Sequence, residues 1–276
     1  MSIMSGLCMD QAVGPQRIVC LTEETTEWLY LLGQEHRIVG ISGYTVRPRR
    51  AREEKPKVSA FTSAKIEKIL ELEPDCVIGF SDMQADVASE LIRKGVQVTV
   101  FNQRSVAEIF AVLQQIAAMV GCAVTGASWL RTVGAHLQAA ELQGERLPRR
   151  PLIYFEEWDE PAISAIRWVS ELMTIAGGDD CFPELAQQRM GRQRIIADPQ
   201  DVIRRNPDII IGSWCGKKFR PEKVAARPGW DAMSAVRDDE LHEIKSCDIL
   251  QPGPAALTAG FSQLQRIIRD WSARHA

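Results

Sequence analysis

The chain has 276 residues, of which 45% are hydrophobic and 25% charged, and its formal net charge is -3. This size and composition are typical of a globular protein with two modest domains, each with its own core. The slightly acidic balance argues against nucleic acid as an electrostatic partner, and the lack of an apolar run of about 18 residues argues against membrane insertion.

The first half of the chain alternates short apolar runs with amphipathic segments. A polar stretch at 42–59 is predicted to be a loop, and Ser63 is predicted to cap the helix that follows it. Ser105 and Glu108 form a capping box that opens a long helix ending near Gly121. Uniformly apolar strands alternating with helices favour a parallel sheet. The predicted strands are 17–21, 37–41, 76–79 and 96–101, and the predicted helices are 22–32, 63–72, 85–94 and 106–121.

A second half of similar construction follows a long helical stretch. The helical pattern from Ala123 to Glu145 contains no strand, and the prolines Pro148 and Pro151 interrupt it. A helix of this length between two αβ halves is predicted to connect them. The second half is predicted to contain strands at 152–155 and 241–244 and helices at 169–176 and 255–274.

One sequence unit occurs at corresponding places in both halves. Segments 67–80 and 201–214 each read as an amphipathic helix, a Pro-Asp pair, a short apolar strand and a glycine. The predicted fold class is therefore α/β: two parallel-sheet αβ lobes joined by one long linker helix, with a ligand cleft between the lobes. The predicted domains are a disordered N-terminal segment 1–16, an N-terminal lobe 17–121, a linker helix 122–150 and a C-terminal lobe 151–276.

Several of these segments, taken in order, resemble a known family. They are Arg17-Ile18-Val19, TEWLYLLG at 26–33, Arg37 to Ser42, the Pro74-Asp75 and Pro207-Asp208 units, Glu171-Leu172 to Gly177-Gly178, and Gln251-Pro252-Gly253-Pro254. The chain thereby resembles the helical-backbone (class III) substrate-binding proteins that serve ABC importers of cobalamin, ferric siderophores and haem, and within them the corrinoid-binding members. The resemblance extends from about Arg17 to Trp271. It implies two αβ lobes joined by a rigid helix that close only slightly on the ligand.

The resemblance also implies a function and partners. We expect a monomeric substrate-binding protein for a cobalamin-like corrinoid or an iron complex, with no cofactor of its own and with an importer permease as partner. Family members are normally exported, but residues 1–15 lack basic residues and a sustained apolar core. A cytoplasmic location is therefore expected, and a periplasmic one if the start is misannotated or trimmed. A cytosolic binder of another anionic small molecule, not coupled to transport, is the alternative function.

Aromatic residues follow the predicted strands, where open parallel sheets bind their ligands. The resemblance places Tyr44, Phe61 and Phe80 where corrinoid-binding relatives carry aromatic walls, and Trp158 and Trp214 follow strands of the second lobe. Such side chains bury a large flat area with few rotors to freeze. Each is a candidate ligand contact, and the alternative is packing within its own lobe.

Basic residues occupy comparable loops. Arg47 and Lys217 lie nearest the strand ends in two basic loops, and Arg104 follows another strand. Arginine pairs with carboxylate and phosphate groups through two parallel hydrogen bonds, so these residues favour an anionic ligand. A solvated surface loop, or a surface salt bridge in the case of Arg104, is the alternative.

Acidic residues at the strand ends allow a third reading, an enzyme that uses cleft carboxylates. No nucleophile–base pair and no GxSxG or HExxH motif accompanies them, so no catalytic residues are predicted. No metal site is predicted either, because the four histidines lie outside the predicted cleft loops and the seven cysteines lack CxxC spacing. Cys215 could ligate a soft metal or be an idle thiol. The carboxylates in question are Glu23, Glu24, Glu156, Glu157 and Asp159.

Overall fold

The computed structural model describes residues 14–276, so most of the predicted segment 1–16 lies outside the described residues. Two compact units account for the described chain. Unit 1 comprises the residues up to Asn102 together with Ala111–Trp129, and unit 2 comprises Gln103–Phe110 together with Leu130–Ala276.

Unit 1 is built on a parallel five-stranded sheet in the order β3-β2-β1-β4-β5. Its core contains Val19, Ile69, Val77 and Leu91. Trp28 is fully buried and donates its Nε1–H to the Leu113 carbonyl at 2.8 Å. The strands are β1 (Ile18–Cys20), β2 (Ile38–Ser42), β3 (Lys57–Ser59), β4 (Cys76–Phe80) and β5 (Val98–Phe101), and the helices are α1 (Glu23–Leu31), α2 (Ala51–Glu54), α3 (Ile66–Glu71) and α4 (Ala85–Arg93).

Two long helices, α5 (Val106–Met119) and α6 (Ala123–Gly144), each contribute residues to both units. The capping box at the start of α5 is confirmed: the Glu108 N–H donates to Ser105 Oγ at 3.2 Å, and the Ser105 N–H donates to Glu108 Oε2 at 3.1 Å. The predicted helix 123–145 is confirmed as α6. Among the described residues, no helix is both long and apolar enough to cross a membrane.

Unit 2 has a second five-stranded sheet, in which β10, β9 and β6 are parallel neighbours and β8 pairs with β6 in parallel. The strand β7 is antiparallel to β6 and forms a hairpin with it that the sequence did not predict. The strands are β6 (Leu152–Asp159), β7 (Ala162–Ser164), β8 (Asp179–Asp180), β9 (Ile209–Gly212) and β10 (Leu241–Glu243). The helices are α7 (Arg167–Ile175), α8 (Pro183–Ala186), α9 (Gln200–Arg205), α10 (Pro221–Ala225), α11 (Ser234–Arg237), α12 (Ser246–Ile249) and α13 (Phe261–Arg274), the last preceded by a π-helical turn at Ala256–Gly260.

The aspartate of the repeated Pro-Asp unit has the same role in both units. The Asp75 carboxylate accepts the Arg17 N–H at 2.9 Å, and the Asp75 N–H donates to the Arg17 carbonyl at 3.0 Å. In unit 2 the Asp208 carboxylate accepts the Leu152 N–H at 2.9 Å, and the Asp208 N–H donates to the Leu152 carbonyl at 2.8 Å. Each aspartate thus fixes the start of a central strand, which explains why the unit occurs twice.

Two local predictions are wrong. Ser63 does not cap the next helix: its carbonyl accepts the Ala60 N–H at 2.7 Å, and α3 begins only at Ile66 without a side-chain cap. The predicted loop 42–59 contains α2 and the edge strand β3. Both elements are only a few residues long and polar on their exposed side, so neither produces a readable hydrophobic period.

Candidate functional site

The aromatic candidates of unit 1 differ in exposure. Tyr44 follows β2 and is 55% exposed, whereas Phe80 ends β4 and is 4% exposed. Phe61 is partly buried. Gln84 links the last two: its Oε1 accepts the Phe80 N–H at 2.9 Å and its Nε2 donates to the Phe61 carbonyl at 2.9 Å. Tyr44 is therefore the aromatic side chain that unit 1 presents most fully at this edge of the sheet.

A set of carboxylates lies beyond the end of β1. Arg47 donates its Nε–H to Glu27 Oε1 at 2.9 Å, so one of the predicted cations is ion-paired to α1. Glu24 is buried and accepts the Thr22 hydroxyl at 2.7 Å. Burial, reinforced by the neighbouring Glu23 carboxylate, raises the pKa of Glu24 to about 8. Burial likewise raises the pKa of Glu23. This edge of unit 1 therefore holds carboxyl groups that keep their protons to unusually high pH.

In unit 2 the structure brings three of the predicted residues together. The Lys217 ammonium lies 4.3 Å from the ring centroid of Trp158 and 5.1 Å from that of Trp214, and it forms an ion pair with Asp159. Trp158 also donates its Nε1–H to the Glu160 carbonyl at 2.9 Å. A cation held between two indole faces is a stable arrangement, because each ring carries negative charge density on its face. We call Trp158, Asp159, Trp214 and Lys217 the Lys217 cluster.

The Trp214 ring is buried and is held in place by Phe219 and Glu156. It packs edge-to-face on Phe219 at a centroid distance of 5.0 Å, and its Nε1–H donates to Glu156 Oε1 at 3.0 Å. Glu156 is completely buried and is paired with both terminal nitrogens of Arg227. The Tyr154 hydroxyl donates to Glu156 at 2.7 Å, and burial raises the pKa of that phenol. Trp214 therefore supports the cluster from within unit 2.

The carboxylates of unit 2 that a catalytic reading would use are all in ion pairs. Glu156 pairs with Arg227, Asp159 with Lys217, and Glu157 accepts Arg194 at 2.6 Å and 3.1 Å. Sequence reasoning missed both arginines, which lie 71 and 37 residues from their partners and carry no local signal. The arrangement is suited to holding aromatic and cationic side chains in place.

Arg104 lies at the start of α5, where its N–H donates to Glu108 Oε2 at 2.5 Å. Arg104 lines a cavity of unit 2 together with residues of α7 and of the segment after α8. The predicted residues thus form three groups: Tyr44, Arg47, Phe61 and Phe80 in unit 1, the Lys217 cluster in unit 2, and Arg104 at its own cavity. Their role as ligand contacts stays a prediction.

The fold defines the class of an α/β protein with two units, each built on a five-stranded sheet. Residues 18–246 match the model of the periplasmic binding protein family, and the chain belongs to this family. The predicted family, the substrate-binding proteins of ABC importers, is thereby confirmed.

Curated relatives are distant but extend over most of the chain. The uncharacterized ABC transporter substrate-binding lipoprotein YvrC of Bacillus subtilis is 20% identical over 92% of this chain and 80% of its own length. The vitamin B12-binding protein of Vibrio cholerae is 22% identical over 88% of this chain and 86% of its own length.

Solved structures show the same fold. The periplasmic haem-binding protein RhuT from Roseiflexus sp. RS-1 superposes with a TM-score of 0.80 at 21% identity, covering 94% of this chain and 100% of the other. The periplasmic vitamin B12 binding protein BtuF of Vibrio cholerae gives a TM-score of 0.73 at 20% identity, and the superposition covers 93% of this chain and 98% of the other. The predicted fold class, two αβ lobes with parallel sheets, is confirmed.

The expected cytoplasmic location is wrong. The family is one of periplasmic binding proteins, and the relatives include a lipoprotein and periplasmic members. The prediction depended on the composition of residues 1–15, whose first thirteen lie outside the described residues. The composition of residues 1–15 bears only on targeting. Membership of the family, by contrast, is indicated by residues 18–246.

Proposed function

We propose that this chain is the ligand-binding component of an ABC importer and that its ligand is a large flat macrocycle of the corrinoid or haem class. The observation that carries the proposal is the placement of Tyr44 after β2 and of the Lys217 cluster at the carboxyl end of β6 and after β9. In open α/β sheets this edge is where ligands bind. The relatives named for vitamin B12 and haem support the same ligand class.

The chemistry of these residues suits such a ligand. An exposed tyrosine presents a flat apolar face and a hydroxyl at low entropic cost, and a tryptophan held by a neighbouring cation is already ordered before the ligand arrives. Lys217 and Arg47 meet the polar periphery of the macrocycle. Binding is noncovalent, and we propose a monomer that carries out no chemical step, because the carboxylates beside Lys217 are already ion-paired.

A ligand panel tests the proposal. Cobalamin, cobinamide, haem and ferric siderophores are each titrated into the protein and followed by tryptophan fluorescence and calorimetry. We expect at least one macrocycle to bind with a dissociation constant of about 1 μM or lower. If none of them alters the fluorescence or releases heat, the macrocycle proposal is wrong.

Substitutions test which residues bind. Tyr44→Ala and Trp158→Ala should each weaken binding of that macrocycle by about 1–3 kcal/mol, as expected for aromatic anchors. Leu142→Ala is the matched control, because Leu142 is an exposed apolar residue on α6 and follows no strand. Equal affinity in all three variants would assign Tyr44 and Trp158 to other roles.

A further inference from the structure

Unit 2 contains a cavity of about 340 Å³ with an unusual concentration of arginine. Its wall is made by the start of α5, the start of α7 and the segment that follows α8. Three arginines and one glutamate are among the residues that line it. The lining residues are Arg104, Glu108, Ile166, Arg167, Ala186, Gln187, Gln188 and Arg189.

The carboxylates near this cavity already have hydrogen-bond partners. Glu108 accepts two N–H groups in the capping box of α5. Glu171 accepts the Val106 N–H at 2.7 Å and the Arg167 Nε–H at 2.8 Å. A guanidinium carries five N–H donors, so Arg167 keeps donors after its bond with Glu171. Glu171 is therefore ion-paired with Arg167, and Arg189 is the cation of this wall that no described carboxylate pairs with.

Arg189 is the most available of the three arginines. It is exposed, and no hydrogen bond or ion pair joins it to any other residue that the structure describes. The side-chain amides of Gln187 and Gln188 line the same wall and add neutral donors. An arginine kept at a cavity wall without a protein partner is suited to pairing with an oxyanion that arrives from solution.

The backbone adds to the positive potential. The nine-residue helix α7 begins at Arg167, and its N-cap residue Ile166 supplies no side-chain cap. The first N–H groups of a helix lack intrahelical acceptors and, with the helix dipole, favour an anion. Ile166 and Arg167 both line the cavity, so this helix start and the arginines act on the same volume.

We propose that this cavity is a binding site for a small oxyanion, a phosphate or carboxylate group, held by Arg104, Arg167 and Arg189. Its volume of about 340 Å³ lies at the lower end of the range for small-molecule sites and admits a small anionic group. The proposal deepens the proposed function and rests on it only for the source of the anion: the group is either an acidic arm of the ligand or a free anion.

Inorganic phosphate tests the site without any macrocycle. Titration of the whole protein, followed by calorimetry and by 31P line broadening, should show saturable binding. Arg189→Gln should weaken it about tenfold, the loss expected for one charge-assisted contact, and Arg189→Lys should weaken it less. Arg192→Gln is the matched control, because Arg192 is exposed three residues away and does not line the cavity. No saturable binding, or an equal loss in Arg192→Gln, would overturn the proposal.

A second arm distinguishes the two sources. Haem carries two propionates that its dimethyl ester lacks, and cobinamide phosphate carries a phosphate that cobinamide lacks. A preference for the acidic form that Arg189→Gln abolishes assigns the anion to the ligand. Equal binding of both forms, with phosphate still bound, assigns it to a free anion. Phosphate binding without any macrocycle binding would reject the proposed function and leave this site standing.

Discussion

Arg227 pairs with Glu156 through both terminal nitrogens of its guanidinium, at 2.6 and 2.9 Å, although the two residues are 71 positions apart. The Glu156 carboxylate is completely buried and also accepts the Trp214 indole and the Tyr154 hydroxyl. This ion pair holds the Glu156 carboxylate in place. Glu156 in turn orients Trp214, whose ring lies beside Lys217.

Removing the arginine of this pair should be costly. We expect Arg227→Ala to lower the free energy of unfolding by about 3–5 kcal/mol, because it leaves a buried carboxylate without a cation. Urea denaturation followed by circular dichroism measures the change. Arg237→Ala is the control, since Arg237 is exposed and, among the described residues, its guanidinium makes one long hydrogen bond, to Ser234. A loss below about 1 kcal/mol in Arg227→Ala would contradict the proposed importance of the pair.

Trp214 should act mainly through packing. Trp214→Phe keeps a ring but leaves Glu156 one hydrogen bond short, so we expect the free energy of unfolding to fall by about 1–3 kcal/mol. Its effect on macrocycle affinity should be smaller than that of Trp158→Ala, because Trp214 is 6% exposed. The same unfolding and ligand titrations decide this. The opposite order of effects on affinity would make Trp214 the direct contact.

The buried carboxyl of Glu24 should make stability depend on pH. Its pKa is raised from 4.5 to about 8, so the folded state holds the proton more tightly than the unfolded chain does. The stability that comes from the neutral carboxyl is therefore fully present below pH 4.5 and is lost as the pH rises through about 8.

Glu24→Gln keeps this position neutral at every pH. The variant should gain stability relative to the parent protein at high pH, with the difference growing by at least about 1 kcal/mol from acidic to alkaline buffer. Urea denaturation series at both ends of that range measure it. Glu67→Gln, at an exposed glutamate on α3, should leave the pH profile unchanged. A pH-independent difference between Glu24→Gln and the parent protein would show that folding does not raise the pKa of Glu24.

Gly212 at the end of β9 leaves room for an aromatic ring. A Cβ there would lie 1.9 Å from Phe219 Cδ2, and Phe219 is buried against Trp214. Gly212→Ala should therefore destabilise unit 2 by about 1–3 kcal/mol, the usual cost of overpacking. Thermal unfolding measures it against Gly191→Ala, where the nearest atom, Arg194 Nη2, is 3.9 Å away, an ordinary van der Waals distance. Equal melting temperatures for the two variants would contradict this.

Much of the fold could be predicted from the sequence because its elements carry strong local signals. The long helix α6, the capping box of Ser105 and Glu108, and the apolar strands β4 and β9 all lie where their patterns predicted them. The hairpin of β6 and β7 was missed, since four of the five residues after Phe155 are acidic and the segment contains no apolar run.

The candidate site was predictable only in part. Strand ends located Tyr44, Trp158 and Lys217, since position along a strand fixes the edge on which a residue emerges. What each side chain contacts depends on residues distant in sequence: Arg227 for Glu156, and Glu27 for Arg47. Pairings of this kind are made by tertiary packing and leave no local spacing in the sequence.

Asp75 and Asp208, the equivalent aspartates of the two units, hold the amino-terminal ends of β1 and β6. Tyr44 and Trp158 lie at the carboxyl ends of strands, on the opposite edge of each sheet. The residues that fix the strand register thus lie at one end of each sheet, and the candidate ligand contacts lie at the other end. Loops at the carboxyl rim can change length and composition without disturbing the register of the strands. We therefore expect loop exchange at the carboxyl rim to change ligand preference while the strand register stays intact.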